Sequence, residues 1–203
     1  MNRVTLLYVG ILFTVVLSFA GLTIVPQQQL GSLEPIVNDD GTEYPIEPTG
    51  LVAHGRTVYI SLGCMYCHSQ QVRPPGFGAD IERGWGNRRT VARDHIYDRP
   101  PLLGTMRTGP DLANIGLRQP SSDWHLLHLY NPEITSPGSI MPPFSFLFDE
   151  LTLEIERPYD ALSFPPEWDP GEDVIIVPTF DARALVAYLK SLNASHTVPE
   201  VPQ

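Results

Sequence analysis

The sequence predicts a mostly α protein: a single N-terminal transmembrane helix, then a helical domain threaded with long loops. Three observations predict it. Residues 4–25 carry no charge, and at about 1.5 Å per residue such a run is long enough for the ~30 Å hydrocarbon core of a bilayer. Two later stretches, about 51–62 and about 181–192, show helix caps or helical spacing of apolar residues. Elsewhere proline punctuates the chain, 21 in 203 residues, about twice ordinary usage, so extended loop must make up much of the rest. This divides the chain into an anchor (1–25), a tether (26–48) and one folded domain (49–203).

Arg3 precedes the apolar run and Pro26 is read as its stop. The rival reading is a cleaved signal peptide, since Ser18-Phe19-Ala20 has the small-x-small form of a cleavage site. Leu22, Ile24 and Val25 extend the apolar run past Ala20, which favours a retained anchor. With Arg3 before the span and no further base until Arg56, the N-terminus is expected inside and the domain outside. The tether is polar and turn-rich, with Asn38-Asp39-Asp40-Gly41, Pro45 and Pro48.

The helix at 51–62 has Thr49 as a candidate N-cap and Gly63 at the left-handed position beyond its end. Gly55 within it disfavours helix formation, and its expected use is close approach of a second helix. Next comes Cys64-Met65-Tyr66-Cys67-His68, which contains both cysteines of the chain. C-x-x-C-H is the attachment pattern of a c-type heme. Two thiols on one tight turn can each add to a heme vinyl group, and the following His68 is directed at the iron as proximal ligand. A thioredoxin-like pair would need a surrounding βαβ pattern, and a zinc site a second Cys/His pair at ligand spacing. Neither is present; a structural disulfide is the remaining plain alternative.

Residues 69–107 read as loop, rich in Gly, Pro and Arg, with Trp85 and Tyr97 as aromatic fillers of a heme crevice or of a core. Thr108-Gly109-Pro110-Asp111-Leu112 opens a more ordered part. A short helix at 122–130 is capped by Ser121 or Ser122 and ended by Asn131-Pro132. Pro137-Gly138-Ser139-Ile140-Met141-Pro142-Pro143 is a stiff arm presenting one soft side chain, Met141. The last helix carries Leu185, Tyr188, Leu189 and Leu192 at i, i+3, i+4, i+7.

A sixth iron ligand has two methionine candidates, Met106 and Met141. Met1 precedes the anchor, and Met65 sits inside the attachment loop. Met141 is braced by the following prolines; Met106, near Gly104 and Arg107, is not. Among the remaining histidines, His125 and His128 on the short helix are the best candidates for a second nitrogen ligand. The formal net charge of −10 argues against nucleic acid as a partner. Eight of the 13 basic residues are arginines at 73–118, a basic collar near the heme. Residues 149–173 carry nine Asp/Glu against Arg157, within an acidic, proline-rich insertion at about 149–178 that shows no clear period.

Taken together, several blocks resemble one family: Arg56-x-x-Tyr59-Ile60; Gly63-Cys64-x-x-Cys67-His68-Ser69-Gln70; Tyr97-Asp98-x-Pro100; Arg107-Thr108-Gly109-Pro110-Asp111-Leu112-Ala113. To these add Asp123-Trp124-His125-x-x-His128-Leu129-Tyr130-Asn131-Pro132, Met141-Pro142 and 184–192. The chain is similar to the mono-heme, membrane-anchored cytochrome c subunit (subunit II) of cbb-three-type oxidases, the C-type heme-copper oxidases. The tether and the acidic insertion depart from that pattern.

The resemblance implies a class I-like cytochrome c domain with one covalent heme c held at Cys64 and Cys67. It implies His68 and Met141 as iron ligands and the Pro110 carbonyl as acceptor for the other ring nitrogen of His68. It further implies an electron relay without bond chemistry of its own, single-pass in the bacterial inner membrane with the heme domain on the periplasmic side. A di-heme cytochrome c subunit or a soluble c-type protein would be the donor, and the catalytic heme-copper subunit the acceptor. A cytochrome c subunit of a nitric oxide reductase shares anchor and heme, and a heme-based gas sensor would need a labile sixth position; the 123–132 block favours the oxidase.

Overall fold

A computed structural model describes residues 2–38, 40–152, 158–171 and 173–201. Met1, Asp39 of the tether turn, and Glu154, Glu156, Arg157 and Glu172 of the acidic insertion lie outside the described residues. The chain divides into two units, Met1–Ile46 with Val91–Tyr97, and Glu47–Thr90 with Asp98–Gln203.

In the first unit one helix runs unbroken over Arg3–Leu30, as α1 (Arg3–Phe19), a π-helical turn (Ala20–Ile24) and α2 (Val25–Leu30). Asn2 caps its start by accepting from the Val4 N–H. Pro26 therefore does not stop the helix, contrary to the sequence reading. A proline lacks the N–H for the i→i−4 bond, and its ring collides with the carbonyl four residues back. The π turn meets this by widening the spiral just ahead of it: the Val25 N–H reaches the Ala20 carbonyl, five residues back. Pro26 then enters in the first turn of α2, where its missing donor costs little. No residue of α1 is buried, and an 18-residue window has mean hydropathy 2.2, so the helix is long and apolar enough to cross a membrane.

Beyond α2 the segment read as a tether contains a small antiparallel hairpin, β1 (Ile36–Val37) with β2 (Glu43–Tyr44). The buried Tyr44 donates its hydroxyl proton to Asp94 at 2.7 Å. Asp94 lies in the 3₁₀ turn Ala92–His95. That bond joins Val91–Tyr97 to this unit across a long sequence separation, which no local pattern announces.

The second unit is built on the crossing of α3 (Gly50–Ser61) and α7 (Phe180–Ser191). Leu185, Tyr188 and Leu189 of α7 are buried as the period predicts, and Ala182, Ala184 and Val186 are buried as well. Tyr59 of α3 packs against Tyr188, ring centroids 5.4 Å apart. Gly55 stands where the two backbones meet. A Cβ there would lie 1.8 Å from the Ala184 carbonyl oxygen and 2.8 Å from the Tyr188 Cβ. The obstacle is backbone, which cannot rotate away, so the helices themselves would have to part. Gly55→Val is expected to cost about 1–3 kcal/mol through overpacking, read as a lower unfolding midpoint of the full chain; an unchanged midpoint would show the crossing to be looser than this.

α3 ends at Gly63, whose φ of +72° is the left-handed turn that delivers Cys64. Three short helices follow the loop region: α4 (Ile115–Arg118), α5 (Ser122–Tyr130) and α6 (Pro132–Thr135). Ser121 caps α5 through the Trp124 N–H, and Asn131 both ends α5 and caps α6 through the Glu133 N–H. The acidic insertion does hold regular structure. β3 (Phe148–Thr152) and β4 (Val174–Pro178) pair antiparallel, with Glu150 opposite Ile176. Ile175, Ile176 and Val177 are all buried. A strand covered on both faces is a continuous apolar run without alternation, which is why no period was visible. Asp149 and Glu150 stay exposed at the sheet's edge.

Candidate functional site

The turn Cys64–Tyr66 is 3₁₀, closed by the Tyr66 N–H on the Gly63 carbonyl and the Cys67 and His68 N–H groups on the Cys64 carbonyl. A second loop is stitched alongside. The Gly109 N–H donates to the Cys67 carbonyl at 3.0 Å, and the Leu112 N–H to the Ser69 carbonyl at 2.7 Å. This registration brings the Pro110 carbonyl 2.8 Å from His68 Nδ1. A carbonyl can only accept, so Nδ1 carries the proton and the lone pair is left on Nε2. Burial also pulls the His68 pKa below its ordinary value, opposed by the Pro110 carbonyl. The ring is held neutral, as a metal ligand must be. Gly109 leaves room for it: a Cβ there would lie 2.2 Å from His68 Cε1.

His68 borders a cavity of about 750 Å³, within the roughly 300–1,000 Å³ of ligand and cofactor sites. Cys64 and Cys67, both free thiols, line it too. Burial pushes the Cys64 thiol up to about 11. Pro110 and Met141 complete the set of residues singled out from the sequence, and all five border this one space. Met141 comes from the proline-rich arm. The arm is tied down by Phe144 N–H on the Leu129 carbonyl at 2.8 Å and Gly138 N–H on Glu133 at 2.9 Å. Much of the remaining wall is apolar, including Leu62, Leu112, Ile115, Leu129, Leu185 and Leu189.

His125 and His128 also line the cavity, but each ring is engaged. His125 Nε2 donates to the Gln119 carbonyl at 2.8 Å. His128 has Nδ1 2.6 Å from the Thr135 hydroxyl and stacks on Trp124 at 4.7 Å. Burial, and then the nearby His68 and His125, pull its pKa down to about 4. Trp85 does not line the cavity; it lies under the guanidinium groups of Arg83 and Arg107. Tyr97 belongs to the other unit. Met106 is exposed and off the wall.

The basic collar is corrected as well. Of the eight arginines at 73–118, only Arg118 lines the cavity. Arg88 and Arg89 instead hold the C-terminal segment through the carbonyls of His196 and Glu200. Arg107 serves the buried Asp80 at 2.5 Å, Ser69 at 2.8 Å and the Gln71 carbonyl at 2.6 Å. An arginine run marks anion or carbonyl binding without saying whose, and here most of the acceptors are the chain's own.

Sequence reasoning missed Arg118 and Gln119 as wall residues. The available signal was Ile115 and Arg118 at i, i+3, which share one face of a helix. The donor set fits a heme. It offers an imidazole with a free Nε2, a methionine bordering the same cavity, an apolar lining and one buried guanidinium nitrogen, Arg118 Nε, without a partner among the described residues.

Comparison with curated proteins finds no match. Among protein families, the one described as "Cytochrome C oxidase, mono-heme subunit/FixO" matches residues 2–164, a span that takes in the long apolar helix, the C-x-x-C-H turn, Pro110 and Met141. With most of its length matched, the chain belongs to the FixO family, the mono-heme subunit of cytochrome c oxidases.

Proposed function

We propose that this chain is the electron-transfer subunit of a cbb-three-type oxidase, carrying electrons to the catalytic heme-copper subunit in aerobic respiration. The donor is a di-heme cytochrome c subunit of the same complex or a soluble c-type protein. One observation carries this reading most: two free thiols, a neutral histidine with its Nε2 lone pair available, and one methionine all border a single cavity. Cys64 and Cys67 would hold one heme c through thioether bonds, and His68 and Met141 would ligate its iron.

When bound, the heme supplies one-electron exchange at its iron. The chain's own residues hold and tune. The Pro110 carbonyl accepts a hydrogen bond from His68 Nδ1–H, which fixes the tautomer and raises the ring's donor strength. Met141 offers a thioether, which favours the reduced metal and raises the potential. The leucines and isoleucine of the wall keep water away from the bound group. The Arg3–Leu30 helix stays in the mature chain as a single-pass anchor of the bacterial inner membrane, with the heme domain on the periplasmic side.

The test is purification of the full chain from detergent-solubilised membranes. The expected preparation retains the residues before Ala20, keeps its heme through acid-acetone extraction and denaturation, and brings the catalytic heme-copper subunit with it. A soluble chain beginning at Gly21 would end the anchor reading. Heme released by acid-acetone would end the covalent one, and a catalytic subunit of the nitric oxide reductase type would redirect the function.

A further inference from the structure

We propose that Arg118 is the cationic partner of a heme carboxylate, its Nε–H donating to one propionate of the group seated in the cavity. The inference rests on the heme reading above and adds a residue to it. Arg118 ends α4, and Ile115, one turn earlier, shares the cavity wall with it. One of its terminal nitrogens donates to the Asp111 carbonyl. That contact locks the side chain in place and leaves Nε buried without a partner.

Such a nitrogen needs an acceptor, since a guanidinium cannot shed its charge to escape burial. Among the described residues no carboxylate serves it. Among the described residues Arg118 forms no ion pair. The nearby Asp111 has its oxygens occupied by the Ser69 hydroxyl and the N–H groups of Gln71 and Ala113. Burial accordingly weakens the charged form of Arg118, with only Asp111 opposing.

The composition of the wall makes the same point. Among the described residues that line the cavity, Arg118 is the only Lys, Arg, Asp or Glu. A mostly apolar space with one fixed positive charge and one vacant donor is complementary to a flat apolar group bearing a carboxylate. Heme is such a group, and its two propionates are its only anionic substituents. An arginine fork is suited to a carboxylate where a lysine point charge is less so. Arg118 would thus hold the carboxylate end of the group, while His68 and Met141 would hold its iron.

The test uses the full-length holoprotein in detergent with heme whose propionate carboxyls carry ¹³C. It reads the labelled carboxylate band in reduced-minus-oxidised infrared difference spectra. Arg118→Gln is expected to load heme and to shift the labelled band away from its position in the parent. Arg118→Lys, with the charge kept but the fork lost, is expected to give a smaller shift. A band left at the parent position in Arg118→Gln overturns the pairing while leaving the heme site standing. Should Arg118→Gln fail to load heme, Arg118→Lys decides alone: a spectrum indistinguishable from the parent overturns the proposal. A parent chain that incorporates no labelled heme overturns the heme reading and this inference with it.

Discussion

Asp111→Ala is expected to cost about 3–5 kcal/mol of stability, because it strands several buried donors at about 1–3 kcal/mol each. Asp111 is fully buried, at 0% exposure. Its Oδ2 accepts from the Ser69 hydroxyl at 2.6 Å and the Gln71 N–H at 2.8 Å, and its Oδ1 from the Ala113 N–H at 2.8 Å. Arg107 Nη2 stands 3.7 Å away. Alanine strands those donors where water cannot replace the lost acceptor, and each such group carries its own desolvation penalty. Arg107 keeps Asp80 as a partner, so its charge is not left alone. Asp111→Asn is expected to fall between the two, because its amide must turn an N–H₂ toward donors on one side. The check is denaturant unfolding of the full chain in detergent. A loss below about 1 kcal/mol would show that the network is spectator rather than support.

The position of this network explains why the loss should reach the site. Ser69 and Gln71 follow His68 directly, and Asp111 follows Pro110. The carboxylate therefore clamps together the two loops whose registration sets the His68–Pro110 bond. Stability and the orientation of His68 share one anchor.

What could be read from the sequence, and what could not, follows the range of the interactions involved. Gly63, Ser121 and Asn131-Pro132 were legible because a cap is a matter of a few adjacent residues. Gly55 was legible for a different reason: a glycine inside a helix is a local cost, and the cost pointed to a close neighbour, found at Ala184. The β3–β4 pairing was not legible, since it joins Phe148–Thr152 to Val174–Pro178 across the insertion, and the strand that it buries has no alternation. Pro26 misled for an intermediate reason. The rule that proline ends a helix assumes α-helical spacing ahead of it, and one π turn removes the collision. At the cavity, C-x-x-C-H is a pattern of adjacent residues and so visible in the chain. The single charge on the wall depends on which of eight arginines the fold turns inward, and nothing in a run of arginines distinguishes Arg118.

Met141→Ala is expected to produce the largest functional change: loss of the sulfur-to-iron charge-transfer band of the oxidised holoprotein. Its potential should fall by on the order of 0.1–0.3 V, a part of the about 0.8 V over which axial ligands move heme potentials. Three methionines lie among the described residues, and Met141 alone lines the cavity. Met65 packs against the core instead, and Met106 is more than half exposed. The arm that carries Met141 is fixed on both sides, by the Ser139 N–H on the Ser136 carbonyl before it and by Phe144 on the Leu129 carbonyl after it. Pro142 and Pro143 stiffen the backbone between. The sulfur is thus held with little freedom to lose on ligation, while alanine leaves that position without any donor. His128 also borders the cavity, but its ring is stacked on Trp124 and tied at Nδ1 to Thr135. A rescue by histidine would require that stack to open, and would appear as a bis-nitrogen spectrum in the variant that disappears in Met141→Ala/His128→Phe. If Met141→Ala keeps the parent band and potential while Met106→Ala abolishes both, the ligand is Met106 and the arm must be assigned another role.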